Sequence, residues 1–406
     1  MATKKKSSKS SRSKKSSNST LTLIILIVVL GFGAIYSLTG KDVLGIFTPT
    51  EEPAPAGNSD DGPVTQPNVP PVSINSGWWE VYFADPLNIN DPNNWGNSIE
   101  ARLIDKINAT QTSIHIASFE FDLTPVADAL VAAKQRGVDV RWMTDNEHGL
   151  EADEEPGHGQ FAMLEDAGIE VRDDGRSALM HNKFWIFDGQ LVWTGSTNIT
   201  VNGIFKQNNN VIVIRSTKLA EIYEREFQEM WDGEHGIRSP STVDQQSVTV
   251  NGTPVQVLFA AEDGVIGHLI PIVEGAQSSI RFLAFSFTDY PLAKAMIDRS
   301  AEGVNVAGVF EKVGSETESA ELRTLLCAGV PVRQDGNPSF LHHKLIIVDE
   351  HIVMTGSLNY STNAEESNDE NVIIVDNPEI AALYIQEFER VWAQGSDPDP
   401  AEIKCE

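Results

Sequence analysis

Cysteine is almost missing from this sequence: Cys327 and Cys405 are the only two in 406 residues. Two thiols cannot make a disulfide framework, and they neither support nor exclude an oxidising compartment. A packed core must do the work, and a chain of this length with 41% hydrophobic residues can bury one, most simply in two units. Basic residues are scarce too, except at the start, where Lys4, Lys5, Lys6, Lys9, Arg12, Lys14 and Lys15 sit among serines with no acid before Asp42. Beyond those seven, the chain holds 23 Lys and Arg against 58 Asp and Glu, a net of −35 that repels free polyanions at long range. Nucleic-acid-binding proteins generally present a basic face. The imbalance therefore argues against that class of partner.

Long uncharged apolar runs are absent with one exception, the 18 residues LTLIILIVVLGFGAIYSL from Leu21 to Leu38. That length suffices to cross a hydrocarbon core. It exceeds the apolar stretch of a cleaved signal peptide, and no A-x-A-like site follows it. Positive residues stay on the cytoplasmic side, so the Lys cluster sets the N-terminus inside and everything after Leu38 outside. The expected organisation begins with a basic cytoplasmic tail over 1–20, disordered by composition, and a single-pass transmembrane anchor over 21–38. A linker rich in Pro, Ser and acids follows over 39–76, too poor in apolar residues to order itself.

The remainder is an internal duplication. His181 pairs with His342, Gly195 with Gly356, Asn210 with Asn371, Phe227 with Phe388 and Trp231 with Trp392, every pair 161 positions apart. Upstream, Ser113 matches Ser279 and Gly137 matches Gly303 at an offset of 166, so five residues differ in the loop after Asp145. Each copy reads as an α/β unit. An alternating strand from Ser113 or Ser279 leads into a helix ending near Gly137 or Gly303, then a second strand, VDVRWM or VNVAGV. The apolar strands KFWIF and LVWTG, or KLIIV and IVMTG, suit a sheet covered on both faces. Amphipathic helices close the copies at Lys218 to Trp231 and Pro378 to Trp392. The boundaries are 77–235 and 255–396, with a joining segment over 236–254 and a tail over 397–406.

The chemistry sits in repeated motifs. Copy one has His181-Asn182-Lys183, Asp188 and Gly195-Ser196-Thr197-Asn198; copy two has His342-His343-Lys344, Asp349 and Gly356-Ser357-Leu358-Asn359. In an extended segment His and Lys at i and i+2 share a face, so imidazole and ammonium reach one space. A phosphodiester needs a nucleophile, a proton donor and positive charge on its oxygens. One imidazole can attack phosphorus while the other protonates the leaving alcohol. Lys183, Lys344, Asn198 and Asn359 would hold the non-bridging oxygens, with Ser196 and Ser357 as added donors. Asp188 and Asp349 each follow an apolar strand and begin a turn, which suits a structural role.

The pattern H-x-K-x4-D followed by G-S-x-N, present twice, resembles the phospholipase D superfamily over roughly residues 77 to 396. That resemblance implies an α/β fold of two duplicated phospholipase D-like domains, each a mixed β-sheet flanked by helices. A pseudo-twofold would relate them around one shared active site. It also implies a phosphohistidine intermediate, with no cofactor and no metal. In the family an N-x-E follows, its carboxylate near a catalytic imidazole. Copy two keeps this as Asn368 and Glu370, whereas copy one has Gln207 and Asn209. If Glu370 contacts His342, then His342 is the better acid and His181 the better nucleophile.

Asp145 and Glu311, at equivalent strand ends, are expected to line the cleft. The loop carrying Glu147, His148, Glu151, Asp153, Glu154, Glu155 and His158 reads as a solvated insertion, and His343, His351, Trp78 and Trp79 as incidental or packing residues. The expected substrate is phospholipid at a membrane surface, with no obligate protein partner. The alternatives are an extracytoplasmic nuclease of the same superfamily, a cardiolipin synthase-like phosphatidyl transferase, and a degenerate binding module.

Overall fold

The computed structural model describes residues 77–401 and 403–405. The expected tail, anchor and linker lie outside the described residues. Among the described residues no helix is long and apolar enough to cross a membrane.

The first half carries β1 (Trp79–Phe83), β2 (Ser113–Ser118), β3 (Asp139–Thr144), β4 (Glu170–Asp173), β5 (Lys183–Phe187), β6 (Leu191–Gly195) and β7 (Asn210–Arg215). The second carries β8 (Ser247–Val250), β9 (Thr253–Ala260), β10 (Ser279–Ala284), β11 (Asn305–Phe310), β12 (Val332–Gln334), β13 (Lys344–Val348), β14 (Ile352–Gly356) and β15 (Glu370–Asp376). Their sheets run β4-β3-β2-β5-β6-β7-β1 and β12-β11-β10-β13-β14-β15-β9-β8, the same order with β8 added at one edge. In both, two parallel pairings adjoin an antiparallel run, as in β2 with β3 and β2 with β5. The joining segment thus contains β8, paired antiparallel to β9.

β5 and β13 are buried at all five positions, because helices or the other half cover both faces of each sheet. The closing helix Thr217–Trp231 is capped by the Ser216 hydroxyl, which accepts from Leu219 N. It buries Leu219, Ile222, Tyr223, Phe227 and Met230, one stripe at helical spacing. Its counterpart Pro378–Gln394 starts at an Asn377 cap and buries Ile380, Leu383, Tyr384, Phe388 and Val391 in the same way. These two stripes meet between the sheets, where Phe184, Ile186 and Tyr223 share one core with Leu345, Ile347 and Tyr384.

Buried amides register the halves. Asn371 Oδ1 accepts from Thr194 Oγ1 (2.8 Å) and Tyr223 OH (3.4 Å), and Asn210 Oδ1 accepts from Thr355 Oγ1 (3.0 Å) and Tyr384 OH (3.2 Å). An unpaired polar group at such depth costs about 1–3 kcal/mol, so slippage of one half against the other is opposed at every one of these contacts. Cys327 and Cys405 form a disulfide with their Cα atoms 5.3 Å apart, tying the C-terminal tail to the helix Leu322–Cys327.

Candidate active site

Both His-x-Lys motifs enter their sheets at the same point, with Lys183 and Lys344 as the first residues of β5 and β13. His181 and His342 are each 6% exposed, and Lys183 and Lys344 each 2%. The backbone before each motif pairs with the opposite half. His181 N donates to Asp369 O and Asp369 N to Leu179 O, both at 2.9 Å. His342 N donates to Asn208 O and Asn208 N to Phe340 O, again at 2.9 Å.

That exchange delivers the next residue of each segment, Glu370 or Asn209, to the imidazole of the other copy. Glu370 Oε2 lies 2.7 Å from His181 Nδ1. Asn209 Oδ1 lies 2.9 Å from His342 Nδ1, which also meets Ser196 O at 3.1 Å. The expected contact between Glu370 and His342 is therefore corrected to one between Glu370 and His181, and with it falls the expectation that a neighbouring carboxylate makes His342 the acid. Residues that are neighbours in one copy of the sequence are separated by the pseudo-twofold, which one-dimensional alignment does not reveal.

The serines act behind these contacts. Ser196 Oγ donates to Asn209 Oδ1 (2.7 Å) and accepts from Asn210 N (3.1 Å), and Ser357 Oγ accepts from Asn371 N (2.9 Å) beside Glu370. Their hydroxyls brace the groups that face the imidazoles. Gly195 has φ +149°, and a Cβ there would meet Asn210 O at 2.3 Å, so only glycine allows the two strands to close at this point.

Each ammonium donates to the carbonyl of its own motif histidine, Lys183 to His181 O at 2.8 Å and Lys344 to His342 O at 2.9 Å. Each also lies over an aromatic ring, Phe119 at 5.0 Å or Phe285 at 4.7 Å. The same rings stand 4.8 and 4.9 Å from His181 and His342. Burial, then the two ammonium charges, hold both imidazoles well below their ordinary range. Burial brings Lys183 down to about 8 against the pull of Glu370, Glu120 and Asp145; burial and then the Lys183 charge hold Lys344 well below its ordinary range against the pull of Glu370. Burial likewise pushes the Glu370 carboxyl up to about 7, opposed by Lys183, Ser357, Asn368 and Lys344. A bound anionic phosphate would offset the lowering of the imidazoles and ammonium groups by supplying the negative charge that the cations face, and would push Glu370 up further.

Asn198 and Asn359 follow the glycine turns, and the Oδ1 of each has no protein partner. Asn198 Nδ2 is engaged by Glu120 Oε2 at 2.8 Å, a carboxylate that sequence reasoning missed because no motif contains it. Asp145 and Glu311 accept from Met180 N (3.1 Å) and Leu341 N (2.6 Å), so each holds the residue before a motif histidine. Asp188 and Asp349 lie at the far ends of β5 and β13. Burial would raise the Asp188 carboxyl, but donors from Thr112, Gln111 and Ser113 outweigh it and hold it low; donors from Ser279, Gln277 and Ser278 bring Asp349 to about 2. They clamp the turn that precedes β2 or β10 and do not reach the imidazoles.

The insertion after Asp145 forms a π-helical turn, Asn146–Glu151, and places His148 4.9 Å from Phe119. Asp153 caps the next helix through Gly159 N, Phe161 N and Ala162 N. Among the described residues no group of three or more His, Cys, Asp or Glu is placed to hold a metal ion. His343 is fully buried between Asn210 Nδ2 and Glu387, and His351 pairs with Asp376. Trp79 is a core residue with Trp78 edge-on against it.

The family model described as "Cardiolipin synthase, PLD-like domain" matches residues 103–231 and 269–392. A mitochondrial cardiolipin hydrolase of Xenopus tropicalis is 35% identical over 136 residues, 34% of this chain and 64% of that protein, so the match spans under two thirds of the relative's length. A phospholipase D of Rickettsia bellii is 31% identical over 134 residues, 33% of this chain and 67% of that protein. Among solved structures, phosphatidylserine synthase of Haemophilus influenzae superposes with a TM-score of 0.58 over 81% of this chain and 89% of its own, at 14% identity, a likeness of fold.

Proposed function

From the premise that the chain belongs to the cardiolipin synthase, PLD-like domain family, we infer that it hydrolyses phospholipids through a covalent phosphohistidine, with its catalytic domain held outside the cytoplasm at a membrane. The observation that carries the reaction is the convergence of two buried His/Lys pairs on one site, with a carboxylate at the Nδ1 of one imidazole only.

Glu370 accepts the Nδ1 proton of His181, which leaves the Nε2 lone pair free to attack phosphorus. As the N–P bond forms, positive charge grows on that imidazole, and the carboxylate stabilises it. His342 meets only the neutral oxygens of Asn209 and Ser196, so its protonated form is the stronger acid. It gives a proton to the leaving oxygen as the P–O bond breaks. Neutral again, it takes a proton from water, whose oxygen attacks phosphorus while the N–P bond returns its electron pair to His181. Lys183 and Lys344 hold the non-bridging oxygens throughout.

Five observations support lipid as the substrate and the membrane as its place. The relatives include proteins named for cardiolipin hydrolysis and phospholipase D activity. The chain beyond its basic start carries −35, unlike a nucleic-acid binder. Glu311 holds Val313 N as well as Leu341 N, on segments that carry the exposed apolar residues Val313 (71% exposed) and Phe340 (37%), and Phe340 lies edge-on to Phe285, the ring beside His342. The Cys327–Cys405 disulfide suits an oxidising compartment outside the cytoplasm, and the Leu21–Leu38 run supplies the tether.

The test is an assay of the full chain on vesicles of phosphatidylcholine, phosphatidylethanolamine and cardiolipin, and on single-stranded DNA, each with and without chelator. Turnover of a phospholipid that survives chelation is expected. Cleavage of DNA alone would replace lipid with nucleic acid, and full loss in chelator restored by one divalent ion would defeat the mechanism.

A further inference from the structure

The first half holds a second carboxylate at the site. Glu120 lies two residues past β2, between Phe119 and Phe121, and its Oε2 accepts from Asn198 Nδ2 at 2.8 Å. Its charge also acts on Lys183 and His148. The equivalent residue in the second half is Ser286, flanked in the same way by Phe285 and Phe287. No hydroxyl of that length carries charge to Lys344 or reaches Asn359 among the described hydrogen bonds. The two ammonium groups are otherwise placed alike: each donates to its own histidine carbonyl and each lies over an aromatic ring.

We propose that Glu120 is a positioning residue of the first half, fixing the Asn198 amide by a direct hydrogen bond and the Lys183 ammonium by charge, so that this half is set for the phosphate before substrate arrives. The second half has no such device. Lys344 has only Glu370, shared with Lys183, to favour its charged form, so the substrate's own charge matters more to it than to Lys183. The proposal rests on the His/Lys site inferred above, but not on the substrate being a lipid.

The groups facing Lys183 are Glu120, Glu370 and Asp145, which favour its charged form, and Lys344, His181 and His342. Burial outweighs the three carboxylates and leaves the ammonium with its proton only up to about pH 8. Removing one of the three must lower that limit, because the charged lysine loses an attraction that the neutral one never had.

The experiment uses the full chain and bis(p-nitrophenyl) phosphate, a soluble phosphodiester whose turnover needs neither a lipid surface nor a nucleic acid. Glu120→Gln keeps the shape and removes the charge, Glu120→Ser reproduces the second half, and Glu120→Asp keeps the charge on a shorter stem. For Glu120→Gln the alkaline limit of kcat/KM is expected to move down by about one pH unit, with a loss of about fivefold at pH 8, approaching tenfold at higher pH, and little at pH 6. Glu120→Asp recovers part of both. The unfolding midpoint is expected to hold or rise, since a buried carboxyl has been removed.

An unchanged pH limit in both the Gln and Ser variants overturns the proposal. So does a uniform loss at all pH values that tracks a fall in unfolding midpoint, which is what a merely structural carboxylate would give. If Glu120→Gln does not fold, the Ser variant decides by the same two readings. Wild-type turnover of this diester alongside inactivity on every phospholipid would remove the lipid reading and leave the Glu120 test intact.

Discussion

The two halves of this molecule share strand order, motif, and even the hydrogen bonds by which each buried Asn grips the other half, yet their active-site surroundings differ in charge. His181 faces Glu370 where His342 faces Asn209, and Lys183 has Glu120 where Lys344 has a serine at the matching place. Behind the site the bias reverses. Glu387 is held by Arg390 and His343, while its counterpart Glu226 has Glu229 and Asn182 in those positions. Duplication supplied the scaffold, and substitution at single positions then gave the two imidazoles and the two ammonium groups different charged neighbours. A symmetrical site would need each imidazole to serve as nucleophile and acid in turn, and the same electrostatic setting cannot favour both.

Histidine replacement probes that division with the largest expected effect. His181→Ala abolishes the covalent intermediate with every substrate, because His342, the other imidazole of the site, has no carboxylate at its Nδ1 to stabilise it as a nucleophile. His342→Ala retains phosphorylation of His181 when the leaving group is p-nitrophenol, which needs little protonation to depart. Water attack is then slow for want of a base, so the phosphoenzyme accumulates and can be trapped by acid quench. Mapping the phosphoryl group to His342 in the wild type would reverse the roles.

Exchanging the residues at Nδ1 sharpens the comparison. Glu370→Gln keeps the contact but lets the amide present its N–H, which stabilises the wrong tautomer of His181; a loss on the order of 10²–10⁴ in kcat is expected, as for the same change in other carboxylate–histidine pairs. Asn209→Asp does the opposite for His342, favouring its protonated form and weakening it as an acid. Phosphorylation by poor leaving groups slows a few-fold, and the alkaline limit of kcat rises because His342 keeps its proton longer. Stopped-flow release of p-nitrophenol against a simple alcohol separates the two steps. Equal effects of Asn209→Asp on both leaving groups would show that His342 is not the acid.

How much of this was legible in the sequence follows from which relations are local. His181, Lys183 and Gly195 could be read because their spacing along the chain is what the chemistry and the turn require. The sheet was legible for the same reason, since KFWIF and KLIIV are apolar at every position and lie buried on both faces. The partner of Glu370 was not. Alignment places it beside His342, and only the backbone exchange between Asp369 and the His181 segment shows that it crosses over. Glu120 left no signal either, being a lone acid in a chain with 58. The strand within the joining segment was not legible because β8 alternates too briefly to register, and it forms by pairing with β9.

The smallest effect is a change in stability at the other end of the comparison. Glu226 is 4% exposed, and among the described residues no hydrogen bond or ion pair holds its carboxyl. Burial, then the charges of Glu262, Asp369, Glu229 and Asp263, push it far above the usual carboxylate range, and burial with Asp263 and Asp369 pushes Glu262 to about 8. In the unfolded chain both carboxyls lose their protons near pH 4.3. Between that value and about 8 the folded protein therefore binds more protons than the unfolded one, so stability falls as pH rises across this window. Glu226→Gln replaces the acid with a neutral group of the same shape. At pH 8 the variant is expected to be more stable by about 1–2 kcal/mol, the size of one buried uncompensated polar group, and at pH 4 to differ little. Glu387→Gln moves the other way, because it removes the anion that Arg390 and His343 are built around. Urea unfolding of the three proteins at pH 4, 6 and 8 measures the slopes. A Glu226→Gln variant that is less stable than wild type at pH 8, or offset by the same amount at all three values, would mean that the acidic cluster is compensated by groups on the far side of the core.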